Sequence, residues 1–242
     1  MTVLPQVAHA EAQAHARYGQ PGAVARFGPL VAVHASPGSV LNAAWHGGPD
    51  LPTEADLDAL EAFSLQHNQP ASLHLLSHAA PELLDLLAAR GYRLRSSPHL
   101  YTHSLRSLPP RPSLDIREES DPEAWAHWSA EGFGGGLEIM QAVARAPGTA
   151  LYAVWQGSEV AATGAMSLCA GVAALHGAST RPAFRGQGAQ SALLAWRLHQ
   201  AAAQEAKFAS VFVTPGTSSE RNIVRAGFVL GGLRLTFRQG EA

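Results

Sequence analysis

At 242 residues, 46% hydrophobic and with a formal net charge of −2, the chain suits one large domain or two small ones, and its charge argues against nucleic acid or an anionic membrane as main partner. Its single cysteine, Cys169, excludes an intrachain disulfide, and no apolar run approaches the roughly 18 residues of a membrane span. A cytoplasmic setting is expected, since the first residues also lack the charged and apolar regions of a secretory signal.

Residues 4 to 18 read as a helix closed by Gly19 and Pro21. Ala23 to His34 and Ser39 to Trp45 read as a strand pair joined by Ser36-Pro37-Gly38-Ser39. Thr53 caps a helix reaching about His67, with Glu54, Asp56 and Asp58 in its first turns. A strand over Ser72 to Ser77, a helix over Pro81 to Arg90, the helix stop Gly91 and a strand from Tyr92 complete the first half. Pro109, Pro110 and Pro112 mark residues 107–113 as a linker, which predicts domains at 1–106 and 114–242.

The second half opens with a strand over Leu114 to Glu118 and a helix from Pro122 to about Glu131. Gly134 to Gly136 break it, and a further helix runs to about Arg145. Three apolar strands come next, Ala150 to Trp155, Glu159 to Leu168 and Val172 to Thr180, with turns short enough for antiparallel hairpins. Leu194, Leu198 and Ala202 then recur at helical spacing. A strand (Ala209 to Val213), a short helix (Ser218 to Arg225), Gly227 and a last strand from Phe228 to Arg238 end the chain.

Ala178 to Leu194 organises this half. A strand passes through Pro182 and a basic, glycine-rich loop straight into a helix, whose open N–H groups and positive dipole end suit an anion. Gly186 and Gly188 permit the positive φ values that gather successive N–H groups, and Arg185 adds a permanent charge. The spacing fits neither GxxxxGK[ST] nor GxGxxG, because Ser191 stands where the last glycine would be.

Thr180, Pro182, Arg185, Gly186 and Gly188 resemble the V-x-P-x-x-R-G-x-G run of the GNAT superfamily of acetyl-CoA-dependent N-acetyltransferases, with Thr for Val and with Gln190 in place of the closing Gly or Ala. The element order βααβββαβαβ and the corner Asn222 to Phe228, NIVRAGF, are similar to that family too. The resemblance implies an α/β fold of tandem GNAT-like domains, each a mostly antiparallel twisted sheet flanked by helices. It also implies acetyl-CoA (coenzyme A) as cofactor and an amine as acceptor, with no nucleic-acid or membrane partner and a monomer or weak homodimer. Ala178, Ser179 and Thr180 would hold the pantetheine arm, and Arg185, Gly186, Gln187, Gly188, Ala189, Gln190, Ser191 and Asn222 the phosphates. A backbone N–H at the splayed end of Val172 to Thr180 would serve the oxyanion.

An alkylamine with a pKa of about 10 is mostly protonated at neutral pH, so a base is useful. His176 stands where many family members carry Glu, nine residues before Arg185, and alternation puts it on the face of Ala178 and Thr180. A half-buried structural histidine is the other reading, and Glu131 and Glu138, which flank the triple glycine, are rival carboxylates. The family's frequent Tyr acid is Ile223 here, yet a thiol with a pKa of about 8.5 leaves without protonation. Ser219 matches a Ser of some branches and would reach the sulfur or a phosphate through water, or simply cap its helix. Leu86 to Leu94 resembles Asn222 to Leu230, so the first half reads as a degenerate copy whose acidic helix start at Thr53 repels phosphate. No metal site with zinc spacing and no GxSxG elbow is present. Two functions remain open: an N-acetyltransferase for a primary amine of a small molecule or protein, and a non-catalytic acyl-CoA-binding module.

Overall fold

Helix α1 (Val3–His15) buries Val7, Ala8, Ala12 and His15 and ends in a 3-10 turn, Ala16–Tyr18, at Gly19. The structure is a computed structural model and describes residues 3–19 and 23–240, so Pro21 lies outside the described residues. The apolar run expected as one strand from Ala23 to His34 is two, β1 (Val24–Phe27) and β2 (Leu30–Val33), because Gly28 at φ +51° and Pro29 turn the chain between them. β3 (Ala43–His46) pairs antiparallel with β2 across the predicted turn. α2 (Glu54–Gln66) starts in a full capping box: Thr53 Oγ1 accepts from Asp56 N at 3.2 Å, and Thr53 N donates to Asp56 Oδ2 at 2.8 Å. β4 (Ser72–Leu76) lies parallel to β3. α3 (Ala80–Ala89) stops at Gly91, φ +77°, and Ser97-Pro98 splits the stretch after it into β5 (Tyr92–Ser96) and β6 (His99–His103).

In the second half β7 (Asp115–Glu118) leads to α4 (Pro122–Phe133), capped by Asp121, whose Oδ1 accepts from Glu123 N and Ala124 N. Gly134, Gly135 and Gly136 all take positive φ, which ends α4 and starts α5 (Leu137–Arg145) in three residues. β8 (Thr149–Gln156), β9 (Glu159–Cys169) and β10 (Val172–Thr180) form an antiparallel meander. α6 (Ala189–Ala203), β11 (Phe208–Val213), α7 (Ser218–Arg225) and β12 (Val229–Gln239) close the chain.

Two compact units result, residues 1–100 with 231–242 and residues 101–230. This differs from the expected division at the Pro-rich segment, which falls inside the second unit. The cause is strand pairing. β12 pairs with β4 through Arg234↔Leu76 to Arg238↔Ser72 and with β5 through Arg238↔Arg93, completing the sheet of the first unit. In the second unit β6 stands beside β11 in the order β6-β11-β10-β9-β8-β7. Each unit is a mixed sheet flanked by helices and contains a parallel pair, β3/β4 or β10/β11, joined through a helix. The first core gathers Leu57, Leu60, Leu73, Leu75, Leu83 and Phe237, and the second gathers Met166, Leu175, Leu193, Leu198, Ile223 and Phe228. Among the described residues no helix is long and apolar enough to cross a membrane.

Candidate functional site

The parallel pair of the second unit comes apart at one end. β10 and β11 stay in register from Val172↔Phe208 to Leu175↔Val211, and beyond that pair they separate. β10 remains paired with β9 on its other edge as far as Thr180↔Ala162, but the register slips by one residue between His176 and Ser179. Gly177 makes this bulge possible. Its φ is +60°, and a Cβ there would come within 2.9 Å of Trp125 Cη2. Trp125 cannot yield, being fully buried with Nε1 donating to Tyr152 O at 3.1 Å. Past the bulge, Ser179 Oγ donates to Ser129 O at 3.0 Å and bonds Thr163 Oγ1 at 3.1 Å, which anchors the strand end.

Between the separated strands lies a cavity of about 320 Å³. His176, Gly177 and Ala178 line one side, Val211 to Thr214 the other, and Gln190, Arg197 and Ser219 reach it from the helices. The alternation expected to set His176, Ala178 and Thr180 on one face is interrupted by the extra residue of the bulge. Four consecutive residues, Leu175 to Ala178, therefore line the cavity, and Thr180 is not among its lining.

The loop beside this cavity enters α6 through Gly186 at φ +77° and Gly188 at φ +80°. No heavy atom lies within 4 Å of where a Cβ would stand at either position, so backbone conformation and not crowding selects glycine. The first intrahelical bond runs from Ala192 N to Gly188 O at 3.0 Å. Among the described residues nothing accepts from the backbone N–H groups of residues 186–191, which include those of Gln187, Ala189, Gln190 and Ser191. No side chain caps the helix, and its first turn carries no acid. The positive end of the α6 dipole thus faces outward with several donors together.

Arg185, expected to lend its charge to phosphate, also braces the loop: Nη2 donates to Gly132 O at 3.0 Å and Nε to Thr180 O at 3.3 Å. Gln190 explains its own departure from the Gly or Ala of the resembled motif. It links two helices, accepting from Asn222 Nδ2 at 3.0 Å and donating to Ser219 Oγ at 3.3 Å, so Ser219 and Asn222 are held against the first turn of α6.

The four candidate catalytic side chains separate. His176 and Ser219 line the cavity. Glu131 is exposed and ion-paired, its Oε2 accepting from Arg181 Nε at 2.7 Å, and Glu138 is exposed in the first turn of α5; neither lines the cavity. Ile223 is buried in the core, which leaves no phenol at that position.

One lining residue escaped the sequence reading. Arg197 is buried at 2% exposure, with Nη1 donating to Ala165 O at 3.0 Å and to His176 O at 3.3 Å, and Nε to Leu193 O at 3.4 Å. All three acceptors are carbonyls, and no ion pair to a carboxylate accompanies them among the described residues. Burial lowers this guanidinium to about 10, which still leaves it protonated at neutral pH. Its signal was a charged residue within the apolar spacing Leu193, Leu194, Leu198, Ala201.

No protein-family model and no curated protein matches the sequence. Solved structures do. A GCN5-related N-acetyltransferase from Kribbella flavida superimposes with a TM-score of 0.79 at 18% identity, over 100% of this chain and 97% of that one. An acetyltransferase of the GNAT family from Colwellia psychrerythraea gives 0.57 at 17% identity over 87% and 81%. A tandem GNAT protein from the clavulanic acid biosynthesis pathway gives 0.61 at 14% identity over 93% and 86%. The chain has the GNAT fold, in tandem.

Proposed function

We propose that this chain, having the fold of the GCN5-related N-acetyltransferases, binds acetyl-CoA in its second unit and transfers the acetyl group to a primary amine of a small molecule or protein. The observation that carries this reading is the uncapped, acid-free start of α6 opening beside the cavity where β10 leaves β11. Acetyl-CoA supplies the acetyl group as a thioester. The N–H groups of residues 186–191, with Arg185, hold the pyrophosphate at the helix start. Gln190, Asn222 and Ser219 form the polar edge between α6 and α7. Ala178, Ser179 and Thr180 receive the pantetheine arm through main-chain groups on the edge that β11 has released.

In this reading the amine attacks the thioester carbon directly. A backbone N–H at the bulge of β10 donates to the carbonyl oxygen as negative charge gathers there. His176, the one histidine lining the cavity among the described residues, takes the amine's proton directly or through water. Arg197 stabilises negative charge on the departing sulfur from behind the strand, so no acid is required. The first unit takes no cofactor, because Thr53 and Asp56 already satisfy the start of α2. Thiol release from acetyl-CoA over a panel of primary amines is the test. Release with at least one amine is expected, and tight cofactor binding without release from any would favour a non-catalytic binding module.

A further inference from the structure

The first unit holds a larger cavity, about 670 Å³, on the sheet face opposite its core. Register fixes what points into it. Arg238 of β12 stands opposite Ser72 of β4 on one edge and Arg93 of β5 on the other, while Thr236 stands opposite His74. Directly paired residues share a face, so Ser72, His74, Thr236, Arg238 and Arg93 converge, and Arg95 joins them two residues beyond Arg93 at the irregularity in that pairing. The alternate residues Leu73, Leu75 and Phe237 go to the core.

Three arginines on one small face are unusual in a chain with net charge −2. Like charges directly across a ladder are destabilising, and Arg93 and Arg238 are such a pair. Among the described residues no acidic side chain lines the cavity, and none of the three arginine side chains makes a hydrogen bond or ion pair to another described residue. The floor is polar and built: His74 Nδ1 and Thr236 Oγ1 are hydrogen-bonded at 2.9 Å, and on the rim Asn42 Nδ2 donates to Gln69 Oε1 at 2.7 Å. Crowded, solvent-exposed guanidinium groups over a polar floor suit a ligand that brings negative charge, and their planar forks match phosphate and carboxylate oxygens. The volume fits a small molecule.

We infer that this cavity binds a small polyanion, a molecule carrying two or more phosphate or carboxylate groups, at a site separate from the α6 loop. Isothermal titration of the full chain at low ionic strength with inorganic pyrophosphate and with tricarballylate tests it. Because pyrophosphate also suits the start of α6, the titrations are run on Gly188→Asp as well. A saturable site that persists in Gly188→Asp and weakens at least about thirtyfold in Arg93→Gln/Arg95→Gln is the expected result. Preference for pyrophosphate assigns the site to phosphates, and preference for tricarballylate assigns it to carboxylates. Should the double variant fold poorly, Arg238→Gln alone is expected to weaken binding about tenfold. Unchanged affinity in the arginine variants overturns the proposal. So does the absence of saturable heat with both probes, or binding confined to heparin or a single-stranded oligonucleotide. Acetyl-CoA titrated separately reports on the other site, so loss of one reading leaves the other standing.

Discussion

Arg197 donates through Nη1 to the main-chain oxygen of His176, 3.3 Å away, from a helix packed beneath the strand that carries the histidine. A cation therefore supports the backbone just before the bulge and also lines the cavity. Replacing it with Met removes a desolvated charge at similar volume, so stability is expected to change by less than about 2 kcal/mol in urea denaturation. Acetyl transfer is expected to fall about 10- to 100-fold in kcat with cofactor affinity nearly kept. Lys restores charge but not the two-point grip on Ala165 O and His176 O, so it should recover only part of the rate.

If His176 is the base, kcat/KM rises with pH along an acidic limb that His176→Gln removes, and the substitution costs about 10² to 10⁴ in rate while sparing cofactor binding. Wild type and variant are compared on one amine across pH. Retention of both rate and limb in the variant would assign the limb to the substrate amine.

Gly188→Asp sets a carboxylate at the start of α6 in a position with open space around it. Acetyl-CoA binding should weaken by about 2 to 3 kcal/mol, while the melting temperature moves little, since Asp tolerates positive φ better than most residues. Calorimetry and a thermal melt on the same preparation check both halves.

Gly177→Ala behaves in the opposite way. The added methyl meets Trp125 and the φ of +60° is strained, so a loss of about 1 to 3 kcal/mol in denaturant unfolding is expected.

The first unit has its own pH dependence. His15 is buried with Nε2 donating to Ala43 O at 3.2 Å, and desolvation pushes it down to about 4; burial also lowers His74, which packs edge-on against it. A histidine that is neutral in the folded state and takes up a proton on unfolding favours the unfolded chain once pH drops below about 6.5. Stability is expected to be full above that value and to fall by about 1.4 kcal/mol per pH unit for each such histidine towards pH 4. Urea midpoints at pH 7 and pH 5 measure it, and His15→Gln should flatten the slope.

Much of the candidate site was legible because its signals are local. The glycines of the loop, the acid-free helix start and the capped start at Thr53 each depend on a few neighbouring residues, and they stand where the spacing put them. The bulge at Gly177 was not legible, since it depends on Trp125 some fifty positions earlier. Arg197 went unread because nothing local says that its acceptors include carbonyls of two strands. The unit boundaries were missed for the same reason: prolines mark where a chain bends, whereas membership in a sheet is decided by long-range pairing.

The position of β12 governs the order in which the molecule can be made. Residues 231–242 belong to the unit that begins the chain, and β12 fills the place between β4 and β5. On the ribosome the first unit must therefore wait, one sheet position short, until β12 (Val229–Gln239) has emerged. A fragment ended at residue 106 is held permanently at that stage, with the β4 edge bare and open to aggregation. Adding a peptide of residues 229–240 to it should raise its soluble fraction, and the second unit should be the first to acquire protease resistance in arrested nascent chains.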